Sequence, residues 1–401
     1  MTDLFDPRWQ LEELSPSQIG GYIPAYVSDL EKEEIWTQYR HGNPSRVPML
    51  LDINNRVVLL DHRINAGELS YQKVFSDPEA MLKTQLLFEY VARKRYHHFC
   101  DYPVELPDAW HLFVHFQNVF EAVSFGCSID FHPNQVPDTT SILSDDNKHA
   151  IFEIDISRPL ECEPFKTICA MTDFLREYVK DKTFLDRPIV IDPPGYTSSD
   201  GPLTVAMNVR GPGILLDLVD DPDYAGKLFR FIVQAALNRR NALIKRYNLA
   251  EAPNGLADDS IALIGTDQYR EMVLPHHRYW YESTGAKFGQ RFIHLCGDAT
   301  RHFPVLKEEL GVTTFDTGFP VNFHWLRQTL GPEVEILGGV EIGLLINGTP
   351  EQIYHRSQEI LASGIMEGGR FIFREGNNLP PNVPWANIAA MYKAVQNFGR
   401  Y

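Results

Sequence analysis

The chain has 401 residues, 44% hydrophobic and 22% charged, with a formal net charge of −16. Length and apolar content suffice for a full hydrophobic core, and the negative field argues against nucleic acid or an anionic membrane surface as partner. Five cysteines, at 100, 127, 162, 169 and 296, include no Cys-x-x-Cys pair, which argues against a disulfide framework and predicts a reducing, cytoplasmic setting.

The first residues lack a basic start followed by an apolar run, so no secretory signal is expected. No stretch approaches the roughly 18 apolar residues of a membrane span. Residues 1–45 read as an N-terminal helical cap. A helix is predicted over 29–40, stopped by His41-Gly-Asn-Pro44. From Val47 onward, short apolar runs alternate with longer helical patterns. Strands are predicted at 47–52, 111–116, 188–192, 260–264, 291–296, 313–316, 335–340 and 370–375. Helices are predicted over 221–247, 266–283, 300–310, 349–364 and 384–397. Pro222 suits a first helical position and Gly311 a helix end. Strands alternating with helices imply a parallel sheet, and eight such units imply a closed (β/α)₈ TIM barrel over 46–401. The first half is irregular: residues 53–187 are read as two strands at most plus a long insertion. The loop 192–202 is longer than the usual two to about six residues of a βα connection, and lies at the barrel end that carries active sites.

The sharpest chemical signal is His294-x-Cys296. Side chains two apart on a strand share a face, and imidazole nitrogen with thiolate sulfur suits Zn²⁺. Gly297 allows a tight turn after them. A second signal is a ring of acids, Asp52, Asp192, Asp258, Asp259, Asp316, Glu341 and Glu375, at or beside predicted strand ends. One of the Asp258-Asp259 pair is expected to ligate metal, hold a substrate amine or move a proton. Asn377 and Asn378 stand in the Glu375–Pro384 loop, which also reads as a rigid turn. The pair His276-His277 reads as structural, on a helix packed against the barrel.

These residues resemble the uroporphyrinogen decarboxylase superfamily. The resemblance rests on the opening helix and first strand (33–48), the segments 203–213, 216–222 and 258–275, and His294-Leu-Cys-Gly-Asp298. It rests also on Leu310-Gly-Val312, Ile336-Leu-Gly-Gly-Val-Glu341, Gly348-Thr-Pro-Glu351 and Pro380-Pro-Asn-Val-Pro384. It implies a (β/α)₈ barrel. In the cobamide-dependent methyltransferase branch it implies zinc on the His-x-Cys pair and a further cysteine in the last loop. His294 and Cys296 carry over; Asn377 stands where that cysteine is expected. Asp259 or Glu375 would then complete the ligand set or handle protons, with Asn377 beside them. Asp52, Arg56, Asp192 and Glu341 are expected to contact a small-molecule substrate.

The resemblance implies a zinc-dependent methyltransferase that moves a methyl group between a small methylated compound, a corrinoid carried on a partner protein, and a thiol or folate acceptor. It leaves open a decarboxylase of a small acid anchored by Arg56 or Arg210, and a non-catalytic subunit of a corrinoid complex. True uroporphyrinogen decarboxylation fits poorly, because residues 52–56 hold one arginine where that enzyme has a pair. A homodimer is one assembly compatible with the sequence.

Overall fold

The computed structural model describes residues 2–6, 9–65 and 69–401. Five parallel strands form its regular half, in the spatial order Phe371–Phe373, Glu335–Gly338, Val312–Thr317, Arg291–Leu295 and Leu256–Ala257. On one edge Met49 pairs in parallel with Phe373, and on the other Ser199 pairs in parallel with Leu256. The strands Trp110–Leu112 and Arg187–Ile191, also parallel, complete the eight staves. The protein is a (β/α)₈ barrel with its helices wrapped outside, each apolar strand run burying one face against them.

Register fixes what points inward. Arg291, Ile293 and Leu295 alternate as buried, outward residues, so Phe292 and His294 face the barrel axis. The pairings His294↔Asp316, Asp316↔Leu337 and Leu337↔Ile372 carry that face around the sheet. Arg374, two residues beyond Ile372, therefore also points in. The inward face is not sealed: Phe113, Val190 and Phe292 each stay 38% exposed and leave apolar surface below the mouth.

The predicted helix over 29–40 is present as Asp29–Arg40, started by a Ser28–Glu31 capping box. It closes the N-terminal end of the barrel, where the Tyr39 hydroxyl donates to Glu335 at 2.8 Å and Arg370 pairs with the same carboxylate. The long helix Pro222–Tyr247 is capped by Asp221 and ends at Asn248 in the left-handed region, φ +51°.

Two expectations change. Residues 260–264 are not a strand: Asp259–Leu263 is a 3₁₀ turn, and the fourth stave is Leu256–Ala257. Ile261 and Ile264 are buried while Leu263 is 58% exposed, a spacing of three rather than two. The shift matters, because it moves Asp259 from the beginning of a stave to just past its C-terminal end. The segment 53–187 also holds more strands than expected. Besides the stave Trp110–Leu112, shorter than the predicted strand over 111–116, it contributes a hairpin (Ser128–Asp130 with Asp138–Thr140) and the short strand Lys182–Phe184. Strands of three residues are too short for alternation to register in sequence.

Candidate metal centre

His294, Cys296 and Asp259 meet at the C-terminal mouth, with one ligand atom of each within 4.8 Å of the others. The strand Arg291–Leu295 delivers His294, and Cys296 follows at its end. The Cys296 N–H donates to Asp259 Oδ1 at 2.7 Å, which ties the 3₁₀ turn to the strand end. Asp259 keeps its second oxygen for another partner. His294 Nε2 lies 2.9 Å from Cys296 Sγ.

Behind this trio runs a chain of charges. His294 Nδ1 bonds Asp316 at 2.6 Å. Arg374 donates through Nη1 to both Asp316 oxygens, at 3.0 and 2.8 Å, and through Nη2 to Asp52 at 2.8 Å. Asp52 also accepts from the Asn378 amide. A carboxylate on one imidazole nitrogen fixes the tautomer that offers the other nitrogen to a metal.

Burial by itself would lower the His294 pKa, but the bonds to Asp316 and Cys296 outweigh it and hold the imidazole up at about 11. Burial pushes the Cys296 thiol up, against a downward pull from His294. Without a metal, the site is thus anionic enough to keep a proton on the ring. Nitrogen, sulfur and oxygen donors with an open side toward the mouth suit a tetrahedral Zn²⁺ that retains an exchangeable position. The residues present fit the ion.

The other expected site residues divide. Asn377 joins the trio, its Oδ1 accepting from Cys296 Sγ at 3.4 Å. Asp52 lies in the Arg374 network. Glu375 turns its side chain away from the trio: Oε1 accepts the Asp52 N–H at 2.7 Å, and Oε2 is buried with no hydrogen-bond partner among the described residues. Arg56 sits at the first loop, its Nε on Asn54, close enough to help burial lower His115 to about 4. Asp192 faces His111 at 3.2 Å. Glu341 is held by Arg356 at 2.6 Å. Arg210 is engaged by Asp217 at 2.9 Å and by Asp145, so it is not a free carboxylate anchor.

Sequence reasoning missed Arg374 and Asp200. The available signal for Arg374 was an arginine within the predicted strand run 370–375, where a buried cation demands anionic partners. Asp200 lies in the long loop after the third stave. Arg239 fastens that loop, donating to the Tyr196 carbonyl at 3.0 Å and to Glu121 at 2.7 Å, while Glu121 accepts the Asp200 N–H at 2.6 Å. Burial, reinforced by Glu121, raises the Asp200 carboxyl well above its ordinary range.

Glu375 makes stability pH-dependent. Burial pushes it up to about 8, Arg374 opposing and Asp52 assisting. The folded state therefore keeps a proton that the unfolded chain releases near the ordinary carboxylate pKa. Its contribution is full below that value and is lost as pH rises through about 8. The slope is at most about 1.4 kcal/mol per pH unit. Glu375→Gln is expected to flatten the fall in urea midpoint between the acid range and that pH; an unchanged slope would refute the assignment.

A (β/α)₈ barrel carries its active site at the C-terminal mouth, and here that mouth presents an unsymmetrical N/S/O donor set able to hold a metal. The sequence profile of uroporphyrinogen decarboxylase (URO-D) matches residues 103–398, and the chain belongs to that family. A methylated-thiol–coenzyme M methyltransferase of Methanosarcina mazei is 37% identical over 113 residues, 27% of this chain and 29% of that protein. The match to that relative thus spans under a third of its length. A methylcobamide:CoM methyltransferase MtbA of the same organism is 22% identical over 309 residues, covering 73% of this chain and 84% of that one. A solved structure, a methyltransferase from Methanosarcina mazei, superposes with a TM-score of 0.61 at 18% identity, covering 93% of this chain and 99% of that one. That likeness concerns the fold.

Proposed function

We propose that this protein is a zinc-dependent methyltransferase that moves a methyl group from a corrinoid to a small thiol acceptor. The observation that carries the reading is the His294–Cys296–Asp259 trio at the barrel mouth. The two methyltransferase relatives support the reaction class. Zinc held by these three residues would favour the thiolate form of an acceptor and so raise its nucleophilicity.

The chain's own residues supply the rest. Asp316 orients His294, and Arg374 holds Asp316 in place. Asp259 fixes the backbone at Cys296 while lending an oxygen to the site. Asn377 closes one side near the sulfur. Arg56, at the first loop, is a cation for the anionic end of a small acceptor, and the exposed Phe113, Val190 and Phe292 offer an apolar wall below. The methyl donor approaches from the open C-terminal side; a separate corrinoid protein is its carrier in this reading.

The test is methyl transfer from methylcobalamin to 2-mercaptoethanesulfonate by the zinc-loaded protein, followed by the loss of the methyl–cobalt absorbance. Transfer dependent on the thiol is expected. Carbon dioxide released from a small carboxylic acid, with no thiol methylation, would replace this reading by a carboxy-lyase.

A further inference from the structure

Asp258 and Asp259 are adjacent, yet they serve opposite faces of the chain. Asp259 reaches Cys296 at the mouth. Asp258, at φ −149° and ψ 73°, turns back into the protein and is fully buried. A buried carboxylate needs several donors, and this one has four. Leu203 N–H (3.1 Å) and Thr204 N–H (2.8 Å) come from the start of helix Pro202–Arg210, with the Thr204 hydroxyl (2.8 Å) beside them. His277 Nε2, from helix Leu274–Ser283, bonds the same carboxylate at 2.8 Å.

The surroundings leave no slack. The Thr204 hydroxyl also accepts the Ser260 N–H at 3.0 Å, gripping the turn on the far side of Asp259. Gly201, at φ +85°, passes so close that an added Cβ would lie 2.4 Å from Asp258 Cβ. His277 is itself fixed: its Nδ1 bonds the buried Tyr269 hydroxyl at 3.1 Å. Tyr269 opens a π-helical turn, Tyr269–Val273, just before Pro275, which has no N–H for a regular helix bond. The π turn interrupts a helix that the sequence predicts as continuous. The helix Pro202–Arg210, the π turn Tyr269–Val273 and the helix Leu274–Ser283 thus converge on Asp258, the residue beside Asp259.

We infer that His277 and Thr204, acting through Asp258, are positioning residues that set how tightly the barrel mouth holds its metal. The inference rests on the metal-binding reading of the trio, but not on methyl transfer. The physical reason is rigidity. A ligand carboxylate free to swing must be ordered when the ion binds, whereas Asp259 on a turn pinned at 258 and 260 is ordered in advance.

The experiment is zinc affinity of the whole chain, by competition with a chromophoric chelator, with the melting temperature of the zinc-free protein measured alongside. His277→Leu removes the donor to Asp258 and is expected to weaken zinc by about 10- to 100-fold. His277→Gln places an amide N–H near the lost Nε2 and is expected to stay within about threefold of wild type. Thr204→Val removes the hydroxyl from the opposite side and is expected to weaken zinc by a smaller factor, and it carries the test if His277→Leu does not fold. His276→Ala, one residue away and off the network, is the control and should bind as wild type.

Wild-type zinc affinity in both His277→Leu and Thr204→Val overturns the inference, as does a lower melting temperature with unaltered affinity. Equal losses in His277→Leu and His277→Gln overturn it too, because the bond would then not be what matters. If the wild-type chain binds no zinc, the metal reading falls with it. If it binds zinc as described but transfers no methyl group, only the proposed reaction falls.

Discussion

Replacing Cys296 by serine is expected to strip the purified protein of stoichiometric zinc and to reduce thiol methylation to background. Serine keeps the shape and can still bond His294, so the fold should survive. What disappears is the soft thiolate donor: a hydroxyl at neutral pH is neither ionised nor polarisable, and borderline-soft zinc discriminates strongly between them. With three protein donors in reach, loss of one leaves a His/Asp pair, and affinity should drop by at least about 100-fold. Metal per chain after dialysis, measured by atomic emission, reads the first effect, and the methylcobalamin assay reads the second. Full zinc occupancy in Cys296→Ser would place the ion elsewhere and remove the basis of the proposed function.

Arg374→Met is expected to be the most destabilising single change near the mouth. The guanidinium is 4% exposed, and its partner Asp316 is 8% exposed. Burial works against the charge, yet Asp316 and Asp52 more than compensate and raise its pKa. Methionine fills much of the space but leaves Asp316 facing only His294, and Asp52 only Asn378. Breaking a buried pair on one side costs about 3–5 kcal/mol. A clear drop in urea midpoint is expected, with zinc affinity lowered as well because Asp316 no longer has a fixed position from which to orient His294. Arg374→Lys should fall between the two, since an ammonium is a single point charge where the guanidinium spans both carboxylates. A midpoint equal to wild type in Arg374→Met would show that the network contributes nothing to stability.

The two predictions separate what Cys296 and Arg374 do. One residue offers an atom to the ion and contributes little to the fold. The other touches no ligand and holds the charged scaffold together. Metal content and urea midpoint should therefore move independently for Cys296→Ser and together for Arg374→Met.

Several parts of this protein were legible in the amino-acid order. His294 and Cys296 share a face because strand alternation is strictly two-residue, so their meeting follows from local geometry. The helices were legible for the same reason: Pro222 at a first helical position and Gly311 after a helix end are local features.

What only the tertiary structure decided is which distant residues reach the mouth and in which state. Asp259 is there because the fourth stave is two residues long and ends before it, a boundary fixed by pairing with Ile293 and His294 rather than by its own sequence. Asp52, Asp316 and Arg374 come from three staves, and their partnership depends on register around a closed sheet. Glu375 and Arg374 are neighbours with opposite fates, one turned toward the helices and the other into the barrel. The strand's alternation separates them, but only the closed barrel determines which side is inside. Sequence carried the chemistry of the His-x-Cys pair; the enclosure that sets Asp316 between His294 and Arg374 and brings Asp259 and Asn377 beside the sulfur is a property of the folded barrel, because electrostatics over such separations in sequence exists only once the chain has closed.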